Sequence, residues 1–400
     1  MNLLIIPSWY PSKTHPLSGI FTKEQGIAIS KHTEINVFIS KWGHHDSYLN
    51  LRKPSSLLKS LLWRIKNYKQ SFNNIDGVYE VMSPKIHWSH RILGGGYKQL
   101  VKPNIKNLTA IEKRFGKIDL IHAHVSYPAG IIAKVISNKL KIPYILTEHM
   151  SPFPFKTLLK NNKPIKEIEL AFKFADRSIA VSNALSKKIS SYDLKCSDIV
   201  SNLIDEEKFF PNRSKKTSRK KLTYLTLGGF NEQKGIDILL EAISLWMPEV
   251  GSCEFIIGGG IDKDGVYKNL AKDLGVDVYI NWAGIVERHK VPNLFRNSDV
   301  YVLPSRHETF GVVCLEAIAS GIPVIASRCG GPEDIINDIN GMLINPNDPK
   351  ELAFALEKIS KSVKTFSRAE IRKDFEKRFS TKTTVKTLEK IYKATRSKNI

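Results

Sequence analysis

DVYVLPSRHETFGVVCLEAIASGIPVIAS, residues 299–327, predicts a strand, a loop, a helix and a second strand in one continuous stretch. The apolar run DVYVLPS is typical of a buried strand. The helix is predicted to begin near Phe310 or Gly311 and to run to Ser320, where Gly321 stops it. The run PVIAS then forms the next strand. Such a strand-helix-strand unit predicts a parallel sheet with crossover helices.

The same alternation of short apolar runs and helical patterns recurs along the chain in two series. The first series comprises LLIIP (3–7), INVFIS (35–40), IDLIHAHV (118–125), PYILTEH (143–149) and RSIAVS (177–182). The second comprises LTYLTLGG (222–229), CEFIIGGG (253–260), VYINWAG (278–284), DVYVLPS (299–305), PVIAS (323–327) and GMLIN (341–345). Each series predicts one parallel sheet, so the expected fold class is α/β with two Rossmann-like domains.

A polar, basic segment, PNRSKKTSRKK (211–221), separates the two series, so we place the domain junction near residues 204–221. We therefore expect a first domain over residues 1–203 and a second over residues 204–379. The pattern TTVKTLEKIYKATRSK (383–398) predicts a solitary last helix, about 380–400, after the second series has ended. Ligands of doubly wound sheets bind at the carboxyl ends of the strands, so we expect the site in a cleft between the domains.

The composition is that of an ordinary globular protein, because 42% of the 400 residues are hydrophobic and no low-complexity tract occurs. The start MNLLIIPSWYP lacks the basic segment of a signal peptide. No apolar run reaches the roughly 20 residues that span a bilayer. The four cysteines show neither metal-ligand spacing nor a compact disulfide framework. These features favour a soluble, cytoplasmic protein.

The net charge of +22 predicts an anionic partner such as nucleic acid, an acidic membrane surface or a phosphorylated substrate. In SSLLKSLLWRIKNYKQ (55–70), the apolar positions 57, 58, 61, 62 and 65 recur at helical spacing with cations between them. One interpretation is a helix that lies on a membrane surface. The other is a helix whose apolar face packs on the core and whose basic face is solvated. The sequence leaves both open.

Two carboxylates flank the apolar run within the opening stretch. Glu308 falls in the loop after a strand, and Glu316 follows eight positions later, about two helical turns away. A carboxylate among apolar neighbours is costly to bury unless donors satisfy it, and a ribose diol would supply two. The N–H groups of residues 310–313, at the helix start, would meet a diphosphate. The alternative is that Glu308 is a helix-end charge and Glu316 a surface residue.

Other loops follow predicted strands and could hold phosphates. GGFNEQKG (228–235) places Lys234 and Gly235 at a helix start, and Ser18 and Gly19 precede another helix in the first domain.

Two patterns could instead suggest a metal. Residues 262–264, Asp-Lys-Asp, are interpreted as turn chemistry in a glycine-rich loop. We expect the two histidines of IDLIHAHV to point to opposite faces of their strand and therefore not to share a metal.

Together these motifs resemble the retaining glycosyltransferases often called family four, which have the GT-B architecture of two Rossmann-like domains facing across a cleft. The likeness covers nearly the whole chain. In the expected order it includes Gly19-Ile20-Phe21, Ile121-His122-Ala123-His124, Thr147-Glu148-His149, Val181-Ser182, Asn202, Lys234-Gly235 and the E-x7-E pair Glu308 and Glu316. The resemblance also implies that the last helix crosses back onto the first domain, that the first domain binds the acceptor, and that the second domain binds the nucleotide-sugar.

The resemblance implies a role for each matching residue. Glu316 would bind the ribose, Glu308 the hydroxyls of the transferred sugar, Lys234 the diphosphate, and His149 a sugar hydroxyl near the reaction centre. The catalytic residues would be His149, Glu308 and Lys234. The donor site would comprise Gly19, Gly229, Lys234, Glu308, Phe310, Gly311, Val312 and Glu316. One departure is that Gly229 stands where many members have an arginine that assists the diphosphate, so Lys234 acts alone or another cation such as Arg306 substitutes.

The expected reaction is retaining transfer of a sugar from a UDP- or GDP-sugar, without an essential metal or cofactor. The acceptor would be a saccharide or lipid-linked saccharide of bacterial cell-surface polysaccharide synthesis. The basic first domain would then bind an anionic membrane, peripherally on its inner face. Two alternatives remain open. A sugar-nucleotide isomerase or epimerase can use the same architecture, and a basic nucleic-acid-binding protein would explain the charge but not the anion-binding loops. We expect no nucleic-acid partner.

Overall fold

The structure is a computed structural model that describes residues 1–212 and 221–397. The chain divides into two compact units, unit 1 comprising Met1–Leu203 with Thr384–Ile400, and unit 2 comprising Ile204–Thr383. Residues 213–220, which make up most of the basic segment within the predicted junction, lie outside the described residues. No helix in the described ranges has the length and apolar character needed to cross a bilayer.

Unit 1 contains a twisted sheet whose strand order is β12-β11-β8-β7-β1-β2-β5-β4. The strands of unit 1 are β1 Asn2–Pro7, β2 Asn36–Lys41, β3 Tyr48–Leu49, β4 Ser71–Ile75, β5 Val78–Met82, β6 His87–Trp88, β7 Leu120–His124, β8 Tyr144–Glu148, β9 Leu159–Lys160, β10 Lys163–Pro164, β11 Arg177–Ala180 and β12 Asp198–Ile199. Outside the large sheet, β3 pairs with β6 and β9 pairs with β10. All neighbours in the large sheet are parallel except β4 and β5. The carboxyl ends of the parallel strands therefore lie along one edge.

The helices of unit 1 before the junction are α1 Ile20–His32, α2 Pro54–Lys66, α3 Lys98–Phe115, α4 Ile131–Leu140, α5 Lys166–Lys173 and α6 Asn183–Ser190. Most bury one apolar face against the sheet, which is why their sequences show helical periodicity. Helix α2 differs, because its five apolar residues at positions 57, 58, 61, 62 and 65 are 46–69% exposed. The interpretation of α2 as a core-facing helix is therefore wrong.

Unit 2 contains one parallel sheet of order β15-β14-β13-β16-β17-β18. Its strands are β13 Leu222–Leu227, β14 Cys253–Gly258, β15 Ile280–Gly284, β16 Val300–Leu303, β17 Val324–Ser327 and β18 Gly341–Ile344. Its helices are α7 Ile236–Trp246, α8 Val266–Asp273, α9 Val291–Asn297, α10 Val312–Ala319, α11 Pro332–Ile335, α12 Pro349–Ser362 and α13 Arg368–Phe379. Leu239, Phe255 and Leu356 lie in its core.

The last helix, α14 (Thr381–Ser397), contributes Val385, Leu388 and Tyr392 to the core of unit 1. The predicted return of this helix to the first domain is confirmed. Both predicted strand series are also confirmed. The sequence patterns missed three strands of the large sheet, namely the antiparallel edge strand β4, its neighbour β5 and the short strand β12. Helix α10 begins at Val312 rather than at Phe310 or Gly311, because Gly311 has a left-handed φ of 89° that interrupts the helical backbone.

Candidate active site

Lys234 and Glu308 form an ion pair at the carboxyl ends of neighbouring strands in unit 2. The Lys234 Nζ lies 2.5 Å from Glu308 Oε1, although 74 residues separate the two. Gly235, at a φ of 64°, permits this pairing, since a Cβ there would lie 2.0 Å from the carbonyl oxygen of Pro304. Only glycine allows the turn before α7 to approach β16 so closely. The turn thereby places the ammonium group beside the carboxylate.

The Glu308 loop is held on several sides. The buried Ser305 hydroxyl donates to Glu308 Oε1 over 2.9 Å. The Glu308 N–H donates to the carbonyl of Cys329, and the Gly331 N–H donates to the carbonyl of Glu308. Glu308 itself is only 8% exposed. Its carboxylate is therefore oriented before any ligand binds.

Glu316 is buried in α10, with 1% of its surface exposed. Arg288 Nη1 lies 2.5 Å from Glu316 Oε1, and the Arg288 guanidinium lies 5.2 Å from the Phe209 ring centre. Glu316 Oε2 is buried without a hydrogen-bond partner among the described residues. Burial raises the pKa of Glu316, and the Arg288 charge opposes that shift. The interpretation of Glu316 as a surface residue is therefore wrong.

The structure also places the cations considered for the diphosphate. Arg306 makes two hydrogen bonds of 2.9 and 2.6 Å to the Asp237 carboxylate and donates to the Glu232 carbonyl. Asp237 and Glu232 therefore use three of its five N–H donors and hold the guanidinium against the start of α7. Gly229 has no side chain, and an added Cβ would meet only the Asn231 amide at 3.2 Å. Lys234 is the cation placed beside Glu308.

The Asp-Lys-Asp segment has an ordinary turn geometry. Both Asp262 carboxylate oxygens accept backbone N–H groups at the start of α8, from Tyr267 and Lys268. Asp264 has a left-handed φ of 60°, which aspartate tolerates in turns. Within residues 1–212 and 221–397, no group of three or more histidine, cysteine, aspartate or glutamate side chains could hold a metal.

A second polar cluster lies in unit 1, at the carboxyl ends of β7 and β8. His149 Nε2 lies 2.9 Å from His124 Nδ1, and the His149 ring stacks on Phe21 with centroids 4.2 Å apart. The carboxylate of Glu148 is fully buried and accepts the N–H groups of Ser126, His149 and Met150. This carboxylate fixes the backbone that carries His149.

The expectation that His122 and His124 point to opposite faces is wrong. Side chains two positions apart in a strand share a face, and the two rings lie 4.2 Å apart. His122 bonds Tyr392 of α14 through Nδ1 (2.9 Å) and Thr147 through Nε2 (2.7 Å). His122 therefore ties the last helix to the sheet.

Burial keeps these histidines neutral. It lowers the pKa of His122 and of His149 to about 3, and it lowers the pKa of His124 well below its usual value. Repulsion from a protonated His122 would lower the pKa of both His124 and His149 further. A hydrogen bond with the Asn202 side chain partly opposes the shift at His149. Near neutral pH, His149 is therefore an uncharged hydrogen-bonding group.

We expect unit 1 to lose stability as the pH falls below about 6.5. In the unfolded chain these histidines bind protons near that pH, whereas in the folded chain they stay neutral to much lower pH. Between the unfolded and the folded pKa values, the unfolded state therefore binds more protons than the folded state. At pH 5, this difference lowers the free energy of unfolding by about 2 kcal/mol per histidine. Urea unfolding of the wild type and of His149→Gln at pH 7 and 5 measures this. Between pH 7 and pH 5, the free energy of unfolding of the variant should fall by about 2 kcal/mol less than that of the wild type. An equal fall in both proteins would contradict the prediction.

Gly19 precedes α1 as predicted, with a left-handed φ of 66°. A Cβ there would lie 2.1 Å from the Trp9 carbonyl oxygen, so glycine is required. The Ser18 hydroxyl lies 2.8 Å from His45 Nε2. The predicted roles of His149, Lys234, Glu308, Glu316 and the glycines stay predictions.

Sequence reasoning assigned no role to four supporting residues, Ser305, Arg288, Glu148 and His124. Glu148 and His124 belong to motifs that were noticed. Arg288 follows a strand of unit 2. The only feature of the sequence that points to it is that a buried carboxylate such as Glu316 needs a nearby cation. Because the chain has many cations, that signal could not select it.

Two family models match the chain. Residues 207–378 match the model described as glycosyl transferases group 1, and residues 45–208 match the model described as glycosyltransferase family 4. The chain is 33% identical over 288 residues to an uncharacterised glycosyltransferase, MJ1178, of Methanocaldococcus jannaschii, a match that covers 69% of this chain and 75% of that protein. It is 27% identical over 376 residues to the putative teichuronic acid biosynthesis glycosyltransferase TuaC of Bacillus subtilis, covering 89% and 88% respectively.

Solved structures resemble the whole fold. Anabaena Alr3699/HepE, solved in complex with UDP, matches with a TM-score of 0.70 and 18% identity over 98% of this chain and 100% of that chain. Sucrose-phosphate synthase from Thermosynechococcus elongatus matches with a TM-score of 0.69 and 16% identity over 98% of each chain. The two Rossmann-like units thus form a GT-B fold, and the chain is a glycosyltransferase that belongs to the group 1 family of glycosyl transferases.

Proposed function

We propose that this enzyme transfers a hexose from a UDP- or GDP-sugar to a saccharide or lipid-linked saccharide, with retention of anomeric configuration. The proposed setting is bacterial cell-surface polysaccharide synthesis at the inner face of the membrane. Two names support parts of this proposal, since TuaC is named for teichuronic acid biosynthesis and HepE was solved with UDP.

The observation that carries the donor assignment is the unpartnered oxygen of Glu316. A buried carboxylate oxygen without a donor is costly, and Glu316 Oε2 accepts no hydrogen bond from the described residues. Arg288 holds the other oxygen and so fixes the carboxylate plane. A ribose diol supplies hydroxyl donors that suit Oε2. Glu316 is therefore proposed as the ribose ligand.

The proposed chemistry is a same-face substitution. The acceptor oxygen forms a bond to the anomeric carbon while the bond from that carbon to the diphosphate oxygen breaks, and the leaving phosphate takes the acceptor proton. Lys234 and the N–H groups at the start of α10 would stabilise the departing diphosphate. The negative Glu308 would bind sugar hydroxyls as the ring gains positive character. His149 would contribute an uncharged hydrogen bond to a sugar hydroxyl.

The test uses a panel of UDP-, GDP- and ADP-sugars with the full-length protein. Thermal stabilisation by one donor identifies the nucleotide, because a ligand that binds only the folded state raises the melting temperature. The anomeric configuration of the product is then read by NMR coupling constants. An inverted product would overturn retention. Interconversion of the donor without any acceptor would favour an isomerase or epimerase.

We expect activity to survive a chelator. The proposed stabilisation of the diphosphate comes from Lys234 and helix N–H groups, which need no divalent ion. Initial rates are measured with and without EDTA, and again after adding Mn²⁺ or Mg²⁺. Loss of turnover that either ion restores would contradict this prediction and would direct attention to Asp262 and Asp264 as ligands.

Helix α2 is proposed to bind an anionic bilayer. On the inner side of α2, Ser60 is buried and donates to the Tyr48 carbonyl, and Trp63 packs close to Gly43. The apolar positions described above are left exposed on the other side. The chain has no aspartate or glutamate between residues 46 and 76, although it has six lysines and arginines there. An exposed apolar row with unbalanced cations matches an acidic lipid surface.

We expect the protein to bind vesicles that contain anionic lipid and not neutral vesicles. Changing Lys59, Arg64, Lys66 and Lys69 to Glu should weaken binding at least 100-fold, since each basic residue contributes about 1 kcal/mol at such a surface. Vesicle cosedimentation at two salt concentrations measures this, and salt should weaken binding. The charge-matched control changes four exposed lysines of unit 2 to Glu, namely Lys268, Lys272, Lys358 and Lys364. Equal binding to neutral vesicles, or an equal loss in the control, would refute the proposal.

A further inference from the structure

We propose that Phe209 is a positioning residue for the donor site, because its ring holds Arg288 and Arg288 in turn holds the Glu316 carboxylate. Phe209 lies in residues 204–211, which we call the connecting segment because it follows unit 1 directly in sequence and belongs to unit 2. This inference rests on the proposed function, in which Glu316 binds the ribose. It adds that the connecting segment sets how tightly the nucleotide binds.

The Phe209 side chain is fixed inside unit 2. Phe209 is 1% exposed, and its ring packs edge-on against the ring of Phe295 on α9 with centroids 5.8 Å apart. The Arg288 guanidinium lies 5.2 Å from the centre of the Phe209 ring, within the distance at which a cation is attracted to an aromatic face. Phe295 is itself fully buried, so close packing restrains the Phe209 ring. The ring therefore gives Arg288 a fixed surface on which to lie.

The backbone of Phe209 is held to the helix that carries Glu316. Arg372 on α13 donates from Nη1 to the Phe209 carbonyl over 2.7 Å and to the Ala319 carbonyl over 2.9 Å. Ala319 is the last residue of α10, and Glu316 lies less than one turn before it. The contacts therefore form a closed circuit that leaves α10 at Glu316 and returns to it at Ala319.

Arg288 needs such a support because it is partly exposed to solvent. Its side chain is 32% exposed, whereas that of Glu316 is 1% exposed. An arginine side chain gives up rotamer freedom when it is held in one geometry, and a fixed ring favours that geometry because the planar guanidinium can stack on it. Phe209 therefore favours the position of Arg288 in which Glu316 Oε1 is occupied and Oε2 stays available for the ribose.

The next residue of the connecting segment provides a comparison. Phe210 is 44% exposed, and the Arg296 guanidinium lies 4.7 Å from its ring centre. Arg296 donates to the Lys208 carbonyl, within the connecting segment itself. The connecting segment thus carries two arginine–phenylalanine pairs, of which the Phe209 pair leads to the donor site. Phe210 is therefore the matched control.

The test compares Phe209→Leu with Phe210→Leu in the full chain. Leucine keeps an apolar side chain but removes the aromatic face that attracts the guanidinium. Calorimetric titration with UDP, GDP and ADP identifies the nucleotide that the wild type binds. Phe209→Leu should weaken binding of that nucleotide roughly tenfold and raise the KM for its sugar donor by a similar factor. Its kcat should change less than about twofold, because a ribose contact acts alike on the ground state and the transition state. Phe210→Leu should leave all three quantities unchanged.

A double-mutant cycle separates positioning from a general loss of structure. Adding Phe209→Leu to Glu316→Gln should weaken nucleotide binding no further, because the carboxylate that Phe209 helps to place is already gone. A purely structural effect would add in full to the loss from Glu316→Gln. Arg288→Lys is a second variant at a partly exposed position, and it should weaken binding roughly tenfold because lysine keeps the charge but not the planar group. Affinities are compared below the melting temperature of every variant.

The coupling is reciprocal, so the nucleotide should also stabilise the connecting segment. The N–H groups of Lys208 and Phe209 donate to the Asp205 carbonyl over 3.0 and 3.3 Å, and their hydrogen exchange reports opening of this turn. Saturating nucleotide should slow that exchange by up to roughly tenfold in the wild type and in Phe210→Leu. Equal slowing in Phe209→Leu would contradict the coupling.

The outcomes also separate this inference from the proposed function. If the wild type binds a nucleotide and neither Phe209→Leu nor Arg288→Lys changes that affinity, only the positioning role fails. An equal loss in Phe210→Leu, or a fully additive loss in the double mutant, overturns it as well. If the wild type binds none of the three nucleotides, the donor assignment fails and this inference fails with it. If the expected affinities are found while the product is inverted or the donor is only isomerised, the positioning role stands and the proposed reaction fails.

Discussion

Replacing Glu308 by Gln is expected to lower kcat roughly 100-fold while leaving the affinity for a free nucleoside diphosphate nearly unchanged. The proposed partners of Glu308 are hydroxyls of the transferred sugar, which a nucleoside diphosphate lacks. An interaction that strengthens as the sugar ring gains positive character acts mainly on kcat. Lys234 loses its 2.5 Å ion pair in this variant but keeps its position in the turn before α7. It therefore remains available to the diphosphate.

Steady-state kinetics with the full donor and calorimetric titration with the nucleoside diphosphate measure the two quantities separately. The matched control is Glu241→Gln, which makes the same change at an exposed site on α7. It should alter neither quantity. A Glu308→Gln variant that loses nucleotide affinity as strongly as kcat would show that Glu308 contacts the nucleotide.

Replacing Glu316 by Gln is expected to weaken binding of the donor and of the free nucleoside diphosphate alike, by about 1.5–3 kcal/mol. That loss corresponds to roughly 10- to 150-fold in Kd. Gln keeps the size of the side chain but removes the anionic acceptor for the ribose. It also removes the charge that holds Arg288 at 2.5 Å. Both effects act on the part of the donor that the free nucleotide retains.

Calorimetry with the nucleoside diphosphate and with a non-reacting donor analogue compares the two losses. Melting temperatures of the free variants show whether Arg288 without its partner destabilises unit 2, and the affinities are compared only below those temperatures. Equal losses of nucleotide affinity in Glu308→Gln and Glu316→Gln, or no loss in either, would refute the two roles. The pair would then be structural carboxylates of α10 and its preceding loop.

Local sequence patterns predicted most of the fold. The strands of both units follow from short apolar runs bounded by turn residues, because a strand buried on both faces in a parallel sheet needs apolar side chains throughout. The start of α10 was misplaced by one or two residues, since Gly311 adopts a backbone conformation that its neighbours in sequence do not reveal. The edge strand β4 was missed because two of its five side chains, Asn73 and Asn74, are exposed and polar and interrupt the apolar pattern.

The candidate site was predicted only where one segment carries the information. Glu316 was noticed because a charge interrupts an apolar helix within eight residues of Glu308. Its partner Arg288 lies 28 residues away, and Lys234 lies 74 residues from Glu308. The Lys234–Glu308 pair depends on β13 and β16 becoming neighbours in the sheet, and the Arg288–Glu316 pair depends on the segment after β15 packing against α10. No local pattern encodes either arrangement. The neutral state of His149 likewise depends on burial by distant segments.

The sequence alone indicates that the chain forms two α/β units, that the last helix follows the second strand series, and that one carboxylate precedes an apolar helix while another interrupts it. Periodicity and turn chemistry are local properties, so they can be read along one segment. The burial of Glu316 beside Arg288 and the exposure of the apolar row of α2 follow from the packing of distant segments and are seen only in the folded chain. An amphipathic pattern is the same whether its apolar face meets the core or the solvent, because burial depends on what the rest of the chain packs against it.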